Sequence, residues 1–342
     1  MTGLAVTTHG LVHIYRSDGH DVAALSGIGI AIRPGELVGL LGPSGAGKST
    51  LLQLCGGLIQ PSAGRLRIGE HDVAKMSGPE LDRMRASDVG IVIQGAGRNL
   101  VPYLTPEDNV RFAQRAAHAI LPRRTRGAAT EAADRTTGGT TDGTARGTAG
   151  RTAGGTAGRT AGGTAGRTAG GTAGDTAGGT ASGRDLPAPR DVLALVGLAD
   201  HARTPLGRLT PGQVQLAAVA VGIATFPGLL LADEPTSQLD HRARDEVVEA
   251  IRTVNAQTGM TVLLITHDPD VAAVLPRTIT IRDGRIASEG RSGEEFAVVA
   301  TDGSLPLPPH VADRLPPGTL LRVTITDGEV RLTPADDTEP TQ

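Results

Sequence analysis

The run GPSGAGKST, comprising Gly42, Pro43, Ser44, Gly45, Ala46, Gly47, Lys48, Ser49 and Thr50, directly follows the apolar run LVGLL. Its glycines let backbone N–H groups turn inward around phosphate oxygens. The spacing G-x-x-x-x-G-K-[ST] places Lys48 to reach β- and γ-phosphates and the Ser49 hydroxyl to bind Mg²⁺. A second run, LLLADEPT from Leu229 to Thr236, ends an apolar strand in two acids. Asp233 would hold Mg²⁺ through water, and Glu234 would face the γ-phosphate as general base on an attacking water. Each run alone has a plain alternative: a glycine-rich turn, or solvated acids ahead of Pro235. Neither alternative explains why both occur in one chain.

Such chemistry needs strands and helices to aim it. Apolar runs predict strands at Val22–Ile32, Leu37–Leu41, Leu66–Ile68, Val89–Gln94, Leu229–Asp233 and Thr261–Thr266. A helix is expected to start at Lys48, with Leu51, Leu52 and Leu54 at its apolar positions. Another starts at Thr105-Pro106-Glu107-Asp108, where a threonine cap, a first-turn proline and acids at the positive helix end coincide. Further helices are predicted over Pro189–Val196 and from about Asp240 to Val254. Alternating strands and helices, with continuous apolar strands, imply an α/β fold whose parallel sheet is covered on both faces.

The chain has 342 residues, a net charge of -3 and 39% hydrophobic residues, enough for a sizeable core and nothing that calls for nucleic acid. With two tyrosines, three phenylalanines and no tryptophan, that core must be aliphatic. One cysteine, Cys55, excludes an intrachain disulfide and fits a reducing cytoplasm. The opening MTGLAVTTHG has no basic patch or long apolar run, so no secretory signal is expected. Thr210 to Ala232 is uncharged, but Gln215, Gly222, Pro227 and Gly228 interrupt it. It reads as a buried helix followed by a buried strand rather than a membrane span of about 20 apolar residues.

Between Leu121 and Leu186 no Leu, Ile, Val, Met or aromatic residue occurs. From Arg151 the sequence RTAGGTAG runs three times, then DTAGGTA from Asp175. This composition cannot bury enough apolar area to offset its ordering entropy, and a disordered insertion is expected over residues 122–185. The flanking parts, 1–121 and 186–292, read as one domain, and 293–342 as a small appendage with a disordered end.

With these residues in place, the chain resembles the nucleotide-binding subunit of an ATP-binding cassette (ABC) transporter. Further motifs stand in that family's order. The resemblance makes Gln94, at the end of VGIVIQ, a contact to Mg²⁺ and a sensor of the membrane subunit. It makes SQLD, ending in Asp240, the loop that crosses a dimer interface. It gives His267 in LLITHD a γ-phosphate contact, and Tyr15 an adenine to stack on. The implied fold is a P-loop NTPase parallel-sheet core with an antiparallel β subdomain, a helical subdomain and a small C-terminal β-rich appendage. The implied partners are a second such subunit, identical or different, and an integral membrane permease; the implied cofactors are ATP and Mg²⁺. The wording of residues 24–69 and of NLVPYLTPEDNV is similar to the lipoprotein-release and macrolide-export branch. Cassette proteins that act on ribosomes or DNA usually carry two cassettes or a long coiled coil, and this chain has one phosphate loop and no heptads.

One motif departs from the family. Where LSGGQ followed by glutamines and arginine is usual, the chain reads LTPGQVQL, Leu209 to Leu216. In the family this segment completes the ATP site of the opposite subunit. Thr210 keeps the hydroxyl, and Gly212 and Gln213 remain, but Pro211 removes a backbone N–H. Leu216 and Val221 stand where arginines are usual. A charged hydrogen bond to phosphate is worth about 1.5–3 kcal/mol, so one missing donor slows a step by roughly one or two orders of magnitude. A proline in the first helical turn leaves the helix intact. With Lys48, Ser49, Asp233, Glu234, Gln94 and His267 all kept, two readings stay open: a working ATPase with a weakened contact in trans, or an ATP-dependent switch with little turnover.

Residues 299–334 resemble, weakly, the swapped-hairpin domain of transition-state regulators, with a helix, a PG turn and a hairpin around Asp327-Gly328. From Glu294 to Gln342 nine acids face Arg314, Arg322 and Arg331, which argues against a DNA face. The simpler expectation is a β appendage that helps dimerise or docks on the core.

Overall fold

The stretch ahead of Val22 shows no clean apolar alternation, yet it forms a twelve-residue strand, β1 (Val6–Ser17). It pairs antiparallel with β2 (His20–Ile28), and the register shifts between Leu11 and Val12 and between His13 and Ile14. Such irregularities re-aim the side chains that follow, which hides the period of two. The expected run Val22–Ile32 is broken: β2 ends at Ile28 and a two-residue strand, β3 (Ala31–Ile32), resumes on β1. Thr8 causes the break, since its hydroxyl donates to Ile28 O and accepts from Ile30 N–H, each at 2.9 Å.

β4 (Leu37–Leu41) then opens a second sheet and leads into α1 (Lys48–Cys55). The chain returns through β5 (Ala63–Ile68) and β6 (His71–Asp72), giving the first sheet the order β2-β1-β5-β6 with β3 beside β1. α2 (Gly78–Ser87), started by a Ser77–Glu80 capping box, precedes β7 (Val89–Val92). The helical part holds α3 (Pro106–Ile120), α4 (Pro189–Leu195) and α5 (Pro211–Gly222). β8 (Leu229–Asp233), α6 (His241–Thr258), β9 (Thr261–Ile265) and the short α7 (Pro269–Ala273) follow. Three strands close this part: β10 (Arg277–Arg282), β11 (Arg285–Arg291) and β12 (Glu294–Ala297).

The second sheet has the order β12-β11-β10-β4-β9-β8-β7. From β10 to β7 all pairs are parallel, while β11 and β12 add antiparallel at one edge. β12 therefore belongs to the core sheet although it lies past residue 292. Both faces are covered. Leu229 and Leu231 pack with Val38, Leu40, Leu263, Ile265 and the α1 leucines Leu51, Leu52 and Leu54. Leu230 and Ala232 pack on the other face with Val262, Leu264 and side chains of α3 to α6. Each fully buried leucine or isoleucine contributes roughly 2 kcal/mol.

This computed structural model describes residues 3–17, 20–120, 186–291, 294–299, 303–307, 311, 314–315, 319–326 and 328–334. The expected insertion at 122–185, Asp327 and most of the expected tail helix lie outside these. The core is aliphatic, as composition requires: Tyr15, Tyr103, Phe112 and Phe296 are all exposed by 42% or more, and Phe226 is only partly buried. Cys55 is enclosed, and burial pushes its thiol up to about 12. Among the described residues no helix is long and apolar enough to cross a membrane. At the C-terminal end β13 (Leu321–Thr326) and β14 (Glu329–Pro334) form a separate hairpin. Cross-strand pairs Leu321–Pro334, Val323–Leu332 and Ile325–Val330 put its apolar residues on one face.

Candidate functional site

Four adjacent parallel strands, β4, β9, β8 and β7, end at the same sheet edge, the usual place for a ligand in an open α/β sheet. The glycine loop follows β4, His267 lies just past β9, Asp233 ends β8 with Glu234 next to it, and Gln94 lies just past β7. Strand order alone thus gathers residues that lie far apart in the chain.

Two positions of the loop after β4 leave no room for a side chain. Gly42 has φ 137°, and a Cβ there would sit 2.0 Å from Ile281 O. Gly47, which caps α1, has φ 99°, and a Cβ would meet Ala24 O at 2.4 Å. Lys48 begins α1 and is 7% exposed. Its Nζ donates to Gly42 O at 2.9 Å and Pro43 O at 2.8 Å, so the ammonium lies across the mouth of its own loop. The Ser49 hydroxyl points at Asp233 Oδ1, 3.5 Å away.

Burial raises the Asp233 carboxyl above its ordinary value. The Ser49 hydrogen bond opposes this, the neighbouring Glu234 charge adds to it, and Lys48 opposes it. A desolvated carboxylate beside a hydroxyl suits a hard cation that also takes phosphate and water oxygens. Among the described residues no cluster of three or more His, Cys, Asp or Glu could hold a metal. Ser49, Asp233 and Gln94 offer instead a hydroxyl, a carboxylate and an amide oxygen, a set that could hold Mg²⁺ shared with phosphate.

Glu234 adopts φ 45°, uncommon for a residue with a side chain. Its N–H donates to Ile265 O at 3.1 Å, and its carbonyl accepts the Ser237 hydroxyl at 2.9 Å. The carboxylate is thereby held between two groups: Gln94 Nε2 donates to Oε2 at 2.9 Å, and His267 Nδ1 lies 3.2 Å from Oε1. With its amide nitrogen on Glu234, Gln94 has its amide oxygen to offer a cation. Thr266 N–H donates to Leu40 O at 3.2 Å, which ties the His267 loop to the end of β4.

Tyr15, on β1, joins the same side of the molecule. Its hydroxyl is 3.3 Å from Thr50 Oγ1 and donates to Gln53 Oε1 at 3.4 Å, while its ring meets His13 edge-on at 4.7 Å.

The LTPGQ residues and Asp240 do not join this cluster by any hydrogen bond among the described residues. They begin two helices. Thr210 caps α5 with Pro211 in the first turn, and Gly212 packs so closely that a Cβ would lie 2.8 Å from Ala243 Cβ of α6. Asp240 caps α6 by accepting Ala243 N–H at 2.8 Å. Two further residues escape a motif reading. Asn99 bonds Ile93 N–H and O, both at 2.9 Å, and so fixes the loop after Gln94. Arg244 joins α6 to the start of α7, just after His267. Asn99 could have been suspected from its place five residues after Gln94, whereas nothing in the sequence singles out Arg244.

A glycine loop between a buried strand and a helix, facing paired acids across a parallel sheet, defines a P-loop nucleotide-binding protein. The ABC transporter family profile matches residues 25–237, and the chain belongs to that family. The lipoprotein-releasing system ATP-binding protein LolD 1 of Caulobacter vibrioides is 30% identical over 292 residues, covering 85% of this chain and 98% of the relative. The macrolide export ATP-binding/permease protein MacB of Chromobacterium violaceum is 30% identical over 317 residues, which are 92% of this chain but 39% of that protein. The methionine import ATP-binding protein MetN of Streptomyces coelicolor is 31% identical over 306 residues, 87% of this chain and 68% of the relative. A solved ATP-binding cassette, described as a dimer in a post-hydrolysis state bound to ADP and Pi, shares the fold with a TM-score of 0.58. It is 24% identical and covers 84% of this chain and 98% of its own. The chain is thus an ATP-binding subunit of the ABC transporter type.

Proposed function

We propose that this subunit hydrolyses ATP, dimerises head-to-tail around two MgATP, and drives a separate membrane permease from the cytoplasmic face. The observation that carries the reading is Glu234 held between Gln94 and His267 beside the glycine loop. There its carboxylate can accept the proton of an attacking water while His267 orients the γ-phosphate. Lys48 would leave its two loop carbonyls for the β- and γ-phosphates, and Tyr15 would stack on the base. Ser49, Asp233 and Gln94 would hold Mg²⁺, whose charge offsets that of the phosphates. Thr210, Gly212, Gln213 and Asp240 would serve the partner subunit's nucleotide. Large apolar side chains that stay exposed around the Gln94 loop and α3, with Tyr103 at 86% and Phe112 at 57%, support a permease contact there.

A second reading is favoured by Pro211, which removes a donor from the segment offered in trans. In that reading the chain is a regulatory switch with little turnover, or one half of an asymmetric heterodimer. Steady-state MgATP hydrolysis by the purified chain beside Glu234→Gln separates them. Turnover that falls at least ~100-fold in the variant supports hydrolysis by a homodimer. ATP binding without turnover in the wild type favours the second reading.

A further inference from the structure

Arg244 lies in the first turn of α6, four positions after Asp240, and its own N–H donates to Asp240 O at 2.9 Å. Its side chain is only 12% exposed. One terminal nitrogen reaches out of the helix to Asp268 Oδ2 at 3.0 Å and Asp270 Oδ2 at 2.9 Å, while Nε takes Asp245 of its own helix at 3.0 Å. Asp268 is fixed twice more. Its Oδ1 accepts Asp270 N–H at 2.9 Å, and its N–H donates to the Thr266 hydroxyl oxygen at 3.1 Å. The residue spanned by that last bond is His267.

His267 has a side chain 65% exposed, so packing does not orient it. Its ring is restrained by the contact to Glu234 and by the backbone on either side, which the Thr266–Leu40 and Asp268–Thr266 bonds hold. From Asp240 the connection runs along the first helical turn to Arg244, through its side chain to Asp268, and by the Asp268–Thr266 bond around the backbone of His267, whose ring lies 3.2 Å from Glu234. An exposed ion pair contributes little. Here the cation is largely enclosed and is shared by two carboxylates at the start of α7, Asp268 and Asp270, which favours a fixed geometry. Asp268 also caps α7 without help from Arg244, so loss of the arginine leaves that helix its start.

We propose that Arg244 is a positioning residue: it sets His267 against Glu234 and links that pair to the Ser237–Asp240 loop. The inference rests on reading Glu234 and His267 as the hydrolytic pair. It assigns the arginine a role in turnover rather than in nucleotide binding, because its side-chain hydrogen bonds go to Asp245, Asp268 and Asp270 and not to the glycine loop or Tyr15.

The test compares wild type, Arg244→Gln, Arg244→Lys and Asp245→Asn by kcat and KM for MgATP. It also records the ring resonances of His267, assigned against His267→Ala. Arg244→Gln is expected to lower kcat about 10-fold with KM within twofold, and to move the His267 resonances. Arg244→Lys recovers part of both. Asp245→Asn, which removes a partner but keeps the link to the loop, changes neither. Asp268→Asn added to Arg244→Gln brings no further loss. The proposal is overturned if His267 resonances stay put in Arg244→Gln, if kcat stays within twofold, or if Asp245→Asn loses as much. A wild type without turnover would defeat the hydrolytic reading instead, and the resonances would still decide the role of Arg244.

Discussion

Thr210 and Gln213 cap each other across the first turn of α5. Gln213 N–H donates to Thr210 Oγ1 at 3.3 Å, and Thr210 N–H donates to Gln213 Oε1 at 3.0 Å. The exchange uses the hydroxyl oxygen as acceptor and leaves the O–H to donate outward. The Gln213 amide nitrogen lies 2.9 Å from His201 Nε2 as well. The altered motif thus keeps a defined helix start. Thr210→Ala is expected to cost about 1 kcal/mol of stability, and Thr210→Ser only a few tenths, as urea unfolding midpoints would show.

Pro211 occupies a first-turn position where its fixed φ suits the helix and its missing N–H breaks no intrahelical bond. Its expected cost lies in recognition across the proposed dimer. Pro211→Gly should raise MgATP turnover about 10-fold at unchanged ATP affinity, while losing roughly 1 kcal/mol of stability. Equal turnover in the two proteins would remove proline as the limiting feature.

Asp233 offers a pH test. Its carboxyl is raised chiefly by burial, so the folded state holds the proton more tightly than the unfolded chain. The resulting stability is fully present below the ordinary aspartate pKa and is lost as pH rises through the folded value. Asp233→Asn should therefore match wild type in acid and be more stable near neutral pH, yet gain less from MgATP. Thermal melts across pH, with and without nucleotide, would check this; parallel curves at every pH would contradict the burial argument.

Lys48 supplies a ligand-linked test. MgATP at ~100-fold its Kd should stabilise the wild type by about 2.7 kcal/mol. In Lys48→Met that gain should nearly vanish, with the unliganded midpoint moved much less, because Gly42 and Pro43 retain partial access to water. A full nucleotide shift in the variant would mean that the loop backbone alone holds the phosphates.

Where a motif sat on a continuous apolar run, the sequence was readable. β4, β8 and the start of α1 match their expected limits, because a strand buried on both faces and a glycine loop leave few alternatives. β1 was not readable, since its register shifts erase the alternation that marks a strand. β10 and β11 carry a legible cue in Asp283-Gly284, both with positive φ, at the hairpin turn between them. Much of the candidate site could be named in advance from the family's order of motifs. The orientation of Glu234 could not, because its positive φ and its placement between Gln94 and His267 depend on three strands meeting at one edge.

The aliphatic interior has an optical consequence. With no tryptophan and two tyrosines in the chain, tyrosine emission comes from Tyr15 and Tyr103 alone. One ring sits beside the helix of the glycine loop and the other on open surface. Tightening or loosening of the core is nearly silent to fluorescence. A Tyr103→Phe protein would be lit by a single intrinsic reporter, placed where a purine is expected to land.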